Sequence, residues 1–211
     1  MIGKIFNSTA VVFGNGPSRL TFNSYLPLLS KLFTIYGCNA LYRDFTVDHL
    51  VSVDELMVNE IVESGYHTTC PVYTHGKHIK PFPNTYKKLC LFPTHSFGKW
   101  YSSGPMAIWL AAHHGNTTIY NIGFDYHDRN GTIKNVYAGT KNYKPTDSVS
   151  PTHISRINEM DEIISMYPAV EFIHVIKHNN TEFLNTPASN FTRITQEEFF
   201  LEVIVPNFYF L

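Results

Sequence analysis

Apolar residues fall along this chain in two rhythms, short unbroken runs and longer stretches with helical spacing. The first run, Thr9 to Phe13, is β-branched and aromatic and stops at Gly14-Asn15-Gly16-Pro17-Ser18. That text predicts a buried strand entering a glycine-rich turn. SYLPLLSKLFTIYGCN then predicts a short helix and a second strand ending near Cys38. His49 to Val53 reads as a third strand, followed by an amphipathic helix, ELMVNEIVES. Asp54 stands at the N-cap position of that helix, with a side chain able to receive a free helical N–H.

From Ser64 to Lys99 the pattern loosens: Pro71, Pro81, Pro83 and Pro93 leave two short strand-like runs, Val72–Thr74 and Leu89–Phe92. Regularity returns with a helix from Ser103 to His114, capped by Ser102 or Ser103 and ended by Gly115. Thr117 to Phe124 is an apolar, β-branched strand. Asp125 to Ser150 is a polar stretch of about 25 residues, against a usual connection of about 4–6, so it is expected to be functional or a lid. A helix from about Thr152 to Met166 and a strand Val170–Ile176 follow, and QEEFFLEVI suggests a helix in the tail.

Strands alternating with helices imply parallel crossovers, with helices on both faces of the sheet. The expected fold class is therefore α/β and Rossmann-like, a mostly parallel sheet in one domain over 1–211 with a lid-like loop at 126–150. Ligands of such sheets bind at the carboxyl ends of the strands. Four places deserve scrutiny on that ground: Gly14–Ser18, Cys38–Asn39, Asp54 and Gly123–Tyr126.

Composition narrows the function classes. Aromatic residues make up 15% of the 211, and they fill cores or line pockets that stack bases and sugars. A formal net charge of −1 gives no basic footprint and weighs against nucleic acid as a partner. Cys38, Cys70 and Cys90 are odd in number and widely spaced, as in reduced, buried thiols of an intracellular protein. The opening MIGKIFNSTAVVFGNG lacks the design of a signal peptide, and no stretch approaches the ~20 apolar residues of a membrane span. The expected location is cytoplasmic. Oligomeric state is left open, a homo-oligomer included.

GNGPS after a strand is a loop that lets an anion approach: Gly14 and Gly16 bring the backbone close, and the N–H groups near Ser18 are free to bond it. The third glycine of GxGxxG and the GK[ST] of a P-loop are missing, so a tight turn without ligand is the competing reading. Asn39 and Asp54 suit a base or ribose hydroxyl, or local turn and cap chemistry. Ser103-Gly104 opens a helix and can hold an anion or simply cap. His113 and His114 end a helix, where the dipole favours them, and His75 and His78 lack metal-site spacing. His153 opens the helix after the long loop, a placement that suits a base.

VVFGNGPS, GCNALY, a strand ending at Asp54, SSGPMAIWLAAHHGNTTIYNIGFDY and PTHISRINEMDEI follow one another in this order. The series resembles the bacterial sialyltransferases of glycosyltransferase family 42, and the phage and bacterial proteins related to archaeal hydroxymethylpterin pyrophosphokinases, over roughly Val11 to Ile176. The resemblance implies that Asn15 and Asn39 contact a CMP donor and that Ser103 lies near it. The family's asparagine at the third strand end is Asp54 here, and its arginine near the helix start is replaced by Trp100 beside Lys99. Of two tyrosines that assist the departing phosphate, one corresponds to Tyr137 and the other falls at His127 or Tyr126. The family's general-base histidine corresponds to His153.

The resulting expectation is a metal-independent, inverting glycosyltransferase. Gly14, Asn15, Gly16, Ser18, Asn39, Asp54, Ser103, Gly104 and Asp125 would hold the nucleotide, and His153, Tyr137 and His127 would perform the chemistry. No cofactor is called for; the partners are a nucleotide sugar, as substrate, and an unidentified acceptor. No Asp-x-Asp occurs, in keeping with that view. One rival is a Mg²⁺-dependent pterin or nucleotide pyrophosphokinase using Asp125 and Asp54. The other is a nucleotide-binding or assembly module without catalysis.

Overall fold

The structure is a computed structural model, and it describes residues 8–82, 88–93, 101–125, 135–145, 153–177 and 188–210. Among the described residues eight parallel strands form one sheet: β1 (Thr9–Phe13), β2 (Thr34–Cys38), β3 (His49–Val51), β4 (Val72–Thr74), β5 (Leu89–Leu91), β6 (Thr118–Ile122), β7 (Glu171–Ile176) and β8 (Phe191–Thr195). Their spatial order is β5-β4-β3-β2-β1-β6-β7-β8. The chain thus starts in the middle, winds out to β5, returns to pair β6 with β1, and winds out the other way. That reversal between β1 and β6 is the topological switch point; the crevice such sheets often open there is closed in this chain, because the loops after β1 and β6 pack on each other.

The helices are α1 (Leu26–Leu32), α2 (Glu55–Glu63), α3 (Gly76–Ile79), α4 (Ser103–His113), α5 (His153–Met166) and α6 (Gln196–Phe199). They cover both faces, as a parallel sheet with apolar residues on each side requires. One face packs Val11, Phe13 and Ile35 against Leu29, Val58 and Phe199, and the other packs Ala10, Val12 and Tyr36 against α4 and α5. Helix α4 is apolar nearly all round, from Met106 to Ala112, which is why it lies in the interior rather than on the rim.

Most elements match the hydrophobic pattern, and the differences have local causes. The third strand stops at Val51. Beyond it the Ser52 N–H reaches the Tyr73 carbonyl at 3.0 Å, and the Val53 N–H turns to Ser103 Oγ, also at 3.0 Å. Asp54 does flank α2, but its side chain makes no cap hydrogen bond. Nor does Ser102 cap α4; its hydroxyl donates to Glu159 of α5 at 2.6 Å. Strand β8, FTRIT, was not expected, because its Thr and Arg are half-exposed to exposed on a sheet edge and carry no apolar run. In the tail, α6 opens with a full capping box between Thr195 and Glu198, then passes into a π-turn at Phe200–Ile204 and a 3-10 turn at Val205–Phe210.

Candidate functional site

The glycine loop lies against the end of β6. The Gly14 N–H donates to the Ile122 carbonyl at 2.8 Å, and the Gly16 N–H donates to the Gly123 carbonyl at 2.7 Å. The Ser18 N–H donates to Asp125 Oδ2 at 2.8 Å, so the amide expected to be free for an anion is taken by the chain's own carboxylate, which caps the turn after the loop. No side chain fits at either glycine: a Cβ on Gly14 would strike the Gly123 carbonyl, and one on Gly16 would strike the Asp125 carboxylate and lie 2.7 Å from the Gly123 carbonyl. Both positions are glycine because two backbones touch there. Gly123 itself sits at φ 77°, the left-handed region where only glycine is comfortable.

Beside this pair of loops, at the ends of β2 and β3, a cleft of about 430 Å³ opens. Asn39, Val53, Asp54, Lys77, His78 and Tyr143 are among the residues that line it. Asn39 takes a left-handed turn (φ 49°), which ends β2 and aims its amide along the rim. Its Oδ1 accepts from the Ser52 hydroxyl at 3.1 Å and its Nδ2 donates to Asp54 Oδ2 at 3.4 Å. The imidazole Nε2 of His78 meets the Val53 carbonyl at 3.1 Å. Ser103 and Gly104 stand behind this wall, Ser103 buried with its oxygen on the Val53 N–H, and Gly104 against the Phe124 ring.

Residues 135–145 of the long loop close over the same corner. The Val136 N–H donates to the Asn15 carbonyl at 2.8 Å. Asn15 Nδ2 donates to the Cys38 carbonyl at 3.1 Å and to the Tyr143 hydroxyl at 3.3 Å, and the Ala40 N–H reaches that hydroxyl at 3.4 Å. Further out, Arg43 donates to Thr140 Oγ1 and the Lys141 carbonyl, while Asn142 donates to Glu60 at 2.7 Å. Burial works to raise the Glu60 carboxyl, but hydrogen bonds from Tyr42, Arg43 and Asn142, together with the Arg43 charge, hold it below the usual carboxylate range.

Tyr137 is buried below the rim. Its hydroxyl donates to Asp44 at 2.7 Å and accepts from Arg19 at 2.7 Å. Arg19 is fully buried, pairs with Asp44 at 2.6 Å, and places its guanidinium over the rings of Phe45 and Tyr137. Burial, with the Asp44 carboxylate next, pushes the Tyr137 phenol well above its ordinary value, so it stays protonated. His153 is the first residue of α5; its side chain, with His127 and Tyr126, lies outside the described residues.

The structure therefore gathers Gly14, Asn15, Gly16, Ser18 and Asp125 in one loop pair. Asn39 and Asp54 share the cleft rim beside it, with Ser103 and Gly104 behind them. Among the described residues no group of three or more His, Cys, Asp or Glu side chains is placed to hold a metal ion. No described helix is long and apolar enough to cross a membrane. Sequence reasoning missed Arg19, Asp44 and Tyr143. An arginine following GNGPS gave no sign that it would be buried, and Tyr143 lies in polar text without periodicity.

No family model and no curated protein matches the chain. Among solved structures it is similar to the MAf glycosyltransferase from Magnetospirillum magneticum AMB-1, with a TM-score of 0.56 at 12% identity over 82% of this chain. The chain spans about a third (32%) of that protein's length. At this identity the likeness shows a shared fold.

Proposed function

We propose that the chain transfers a sugar from a nucleotide donor to an acceptor hydroxyl. The carrying observation is the polar cleft at the ends of β2 and β3, lined by Asn39, Asp54, Lys77 and His78. Mixed donor and acceptor side chains of this kind are what a base and a ribose need. The fold likeness to a protein described as a glycosyltransferase points the same way.

In this reading Asn15, Asn39 and Asp54 hold the nucleoside, and the Ser103–Gly104 helix start backs the cleft wall. His153 takes the proton of the acceptor hydroxyl as its oxygen attacks the anomeric carbon. The bond from that carbon to the donor phosphate breaks, and inversion follows. A histidine suits this duty near neutral pH. For Tyr137 to assist the departing phosphate, its hydroxyl has to part from Arg19 and Asp44, and His127 is the second candidate for that task. The chemistry needs no metal if protein donors neutralise the leaving group. CMP is the donor nucleotide suggested by the family 42 resemblance.

A thermal-shift screen over CMP, UDP, GDP and ADP, each with and without Mg²⁺, tests the first half. A ligand at 100 times its dissociation constant stabilises by about 2.7 kcal/mol. Stabilisation by one nucleotide without Mg²⁺ supports the reading; stabilisation that needs Mg²⁺ transfers the case to the pyrophosphokinase alternative. For the second half, His153→Ala is expected to lower donor turnover about 10²–10⁴-fold with little change in nucleotide affinity. Parental turnover in a variant with an unchanged melting temperature removes His153 from the role.

A further inference from the structure

The corner where Asn15, Ala40 and Tyr143 meet combines three observations. Two N–H donors from different elements, Asn15 Nδ2 of the glycine loop and the Ala40 amide after β2, converge on one oxygen, the Tyr143 hydroxyl. Both contacts, at 3.3 and 3.4 Å, are long against the usual 2.9–3.0 Å for an N–H to oxygen bond. Asn15 is only 7% exposed, and its Oδ1 is buried without a hydrogen-bond partner. The Cys38 carbonyl already takes one Nδ2 hydrogen at 3.1 Å; the phenol meets the other only weakly and leaves Oδ1 unsatisfied. Burying a polar atom without a partner is costly, so the arrangement favours any group able to bond both ends.

Resting on the nucleotide-binding reading above, we infer that Tyr143 is an internal occupant of the ligand site, its oxygen standing where a nucleobase places a hydrogen-bond acceptor. A base edge carries an acceptor next to an N–H donor. It matches Asn15 Nδ2 and Oδ1 together, as a single phenol oxygen does not. The Tyr143 ring is also a wall of the 430 Å³ cleft, so its withdrawal enlarges the space in which that base would lie. The segment carrying it is tethered at positions that need not break: Val136 to the Asn15 carbonyl on one side, and Thr140, Lys141 and Asn142 to Arg43 and Glu60 on the other. Asn142 sits at φ 66°, a left-handed turn that asparagine readily adopts, immediately before the tyrosine. Release of Tyr143 then needs a local turn of the chain rather than departure of the whole segment.

Tyr143→Phe removes the competing oxygen while keeping the ring. CMP, UMP, GMP and AMP are titrated calorimetrically into the parent and the variant, and hydrogen exchange of 135–145 is followed in both without nucleotide. The variant is expected to bind its preferred nucleotide roughly 2- to 10-fold more tightly, and its free segment to exchange faster by a similar factor, the range expected for one net hydrogen bond. Equal exchange in the two proteins overturns the inference, because the phenol then holds nothing. Weaker or unchanged nucleotide binding by the variant also overturns it, while leaving the nucleotide reading standing. If neither protein binds any of the four, the nucleotide reading itself falls and the inference falls with it.

Discussion

The two ends of the sheet treat buried polar side chains in opposite ways. Toward the end where α4 finishes, Tyr36, His49 and His114 close on one another. His49 stacks on Tyr36 with ring centres 4.7 Å apart, and the Tyr36 hydroxyl lies 2.9 Å from His114 Nδ1. Asn116 completes the group, bonding the Ala111 carbonyl at 2.7 Å and the Tyr36 hydroxyl at 3.4 Å. Rings fill this end. At the carboxyl end of the strands, the amides of Asn15 and Asn39 make contacts of 3.1–3.4 Å, one of them to Tyr143 in a loop 128 residues away, and a cleft remains. One end spends its polar atoms on a fixed scaffold. The other leaves its amides on the rim of an open cleft.

The strongest way to break this contrast is to fill the glycine loop. Gly16→Val sets a branched side chain against Asp125 and the Gly123 carbonyl, at a place where backbone holds backbone. Nucleotide binding is expected to vanish in calorimetry. Stability should drop by about 1–3 kcal/mol in urea unfolding, the usual penalty for overpacking. A variant that binds as the parent does would move the site away from this loop.

Acid sharpens the contrast from the scaffold side. His174, inside β7, is pushed down by burial, with the nearby Arg193 charge adding to it, from an ordinary 6.5 to about 4. The folded protein thus resists protonation, while the unfolded chain takes up a proton below about pH 6.5. Stability should fall as pH drops from about 6.5 to 4 and level off below, with a total on the order of 3 kcal/mol from this group at about 1.4 kcal/mol per pKa unit. Denaturant unfolding of the parent and His174→Phe at pH 7, 5.5 and 4.5 checks it. The variant's curve should be flatter, and an equal slope in both would remove His174 as the cause. His114, lowered by burial and by the His113 charge, acts in the same direction.

The smallest effect is expected from Tyr36→Phe, which deletes one hydroxyl at the ring-filled end. It should cost about 0.5–1.5 kcal/mol of stability, the net worth of an ordinary hydrogen bond, and leave nucleotide affinity untouched. A change in affinity as large as that of Gly16→Val would mean that the two ends are coupled.

How much of this was legible beforehand follows from the kind of interaction involved. Runs such as TAVVF and TIYNI announce strands because a parallel sheet buried on both faces favours β-branched, mostly apolar text, and the strands β1 and β6 lie where that text stands. The FTRIT edge strand was hidden because only half of an edge is buried. GNGPS could be read as a site for close approach, but not that it approaches Gly123–Asp125, since the partner lies about a hundred residues on. Asp54 looked like a cap and instead faces Asn39. Arg19 and Tyr143 owe their roles to contacts 118 and 128 residues distant, and no local pattern records those.

The pairing of β1 with β6 also governs how the molecule comes into being. Thr9 to Phe13 lie beside Thr118 to Ile122, so the central pair joins chain segments 109 residues apart, and closing so large a loop is slow in entropic terms. While the chain emerges from the ribosome, β1 to β5 are complete long before β6 exists. In that interval β1 offers a bare edge, TAVVF, to any strand that passes. An unpaired apolar edge of this kind is prone to aggregation until residue 122 is available to cover it. The same delay means that the glycine loop has nothing to rest on until then: the corner built on it takes shape late, with the second half of the chain.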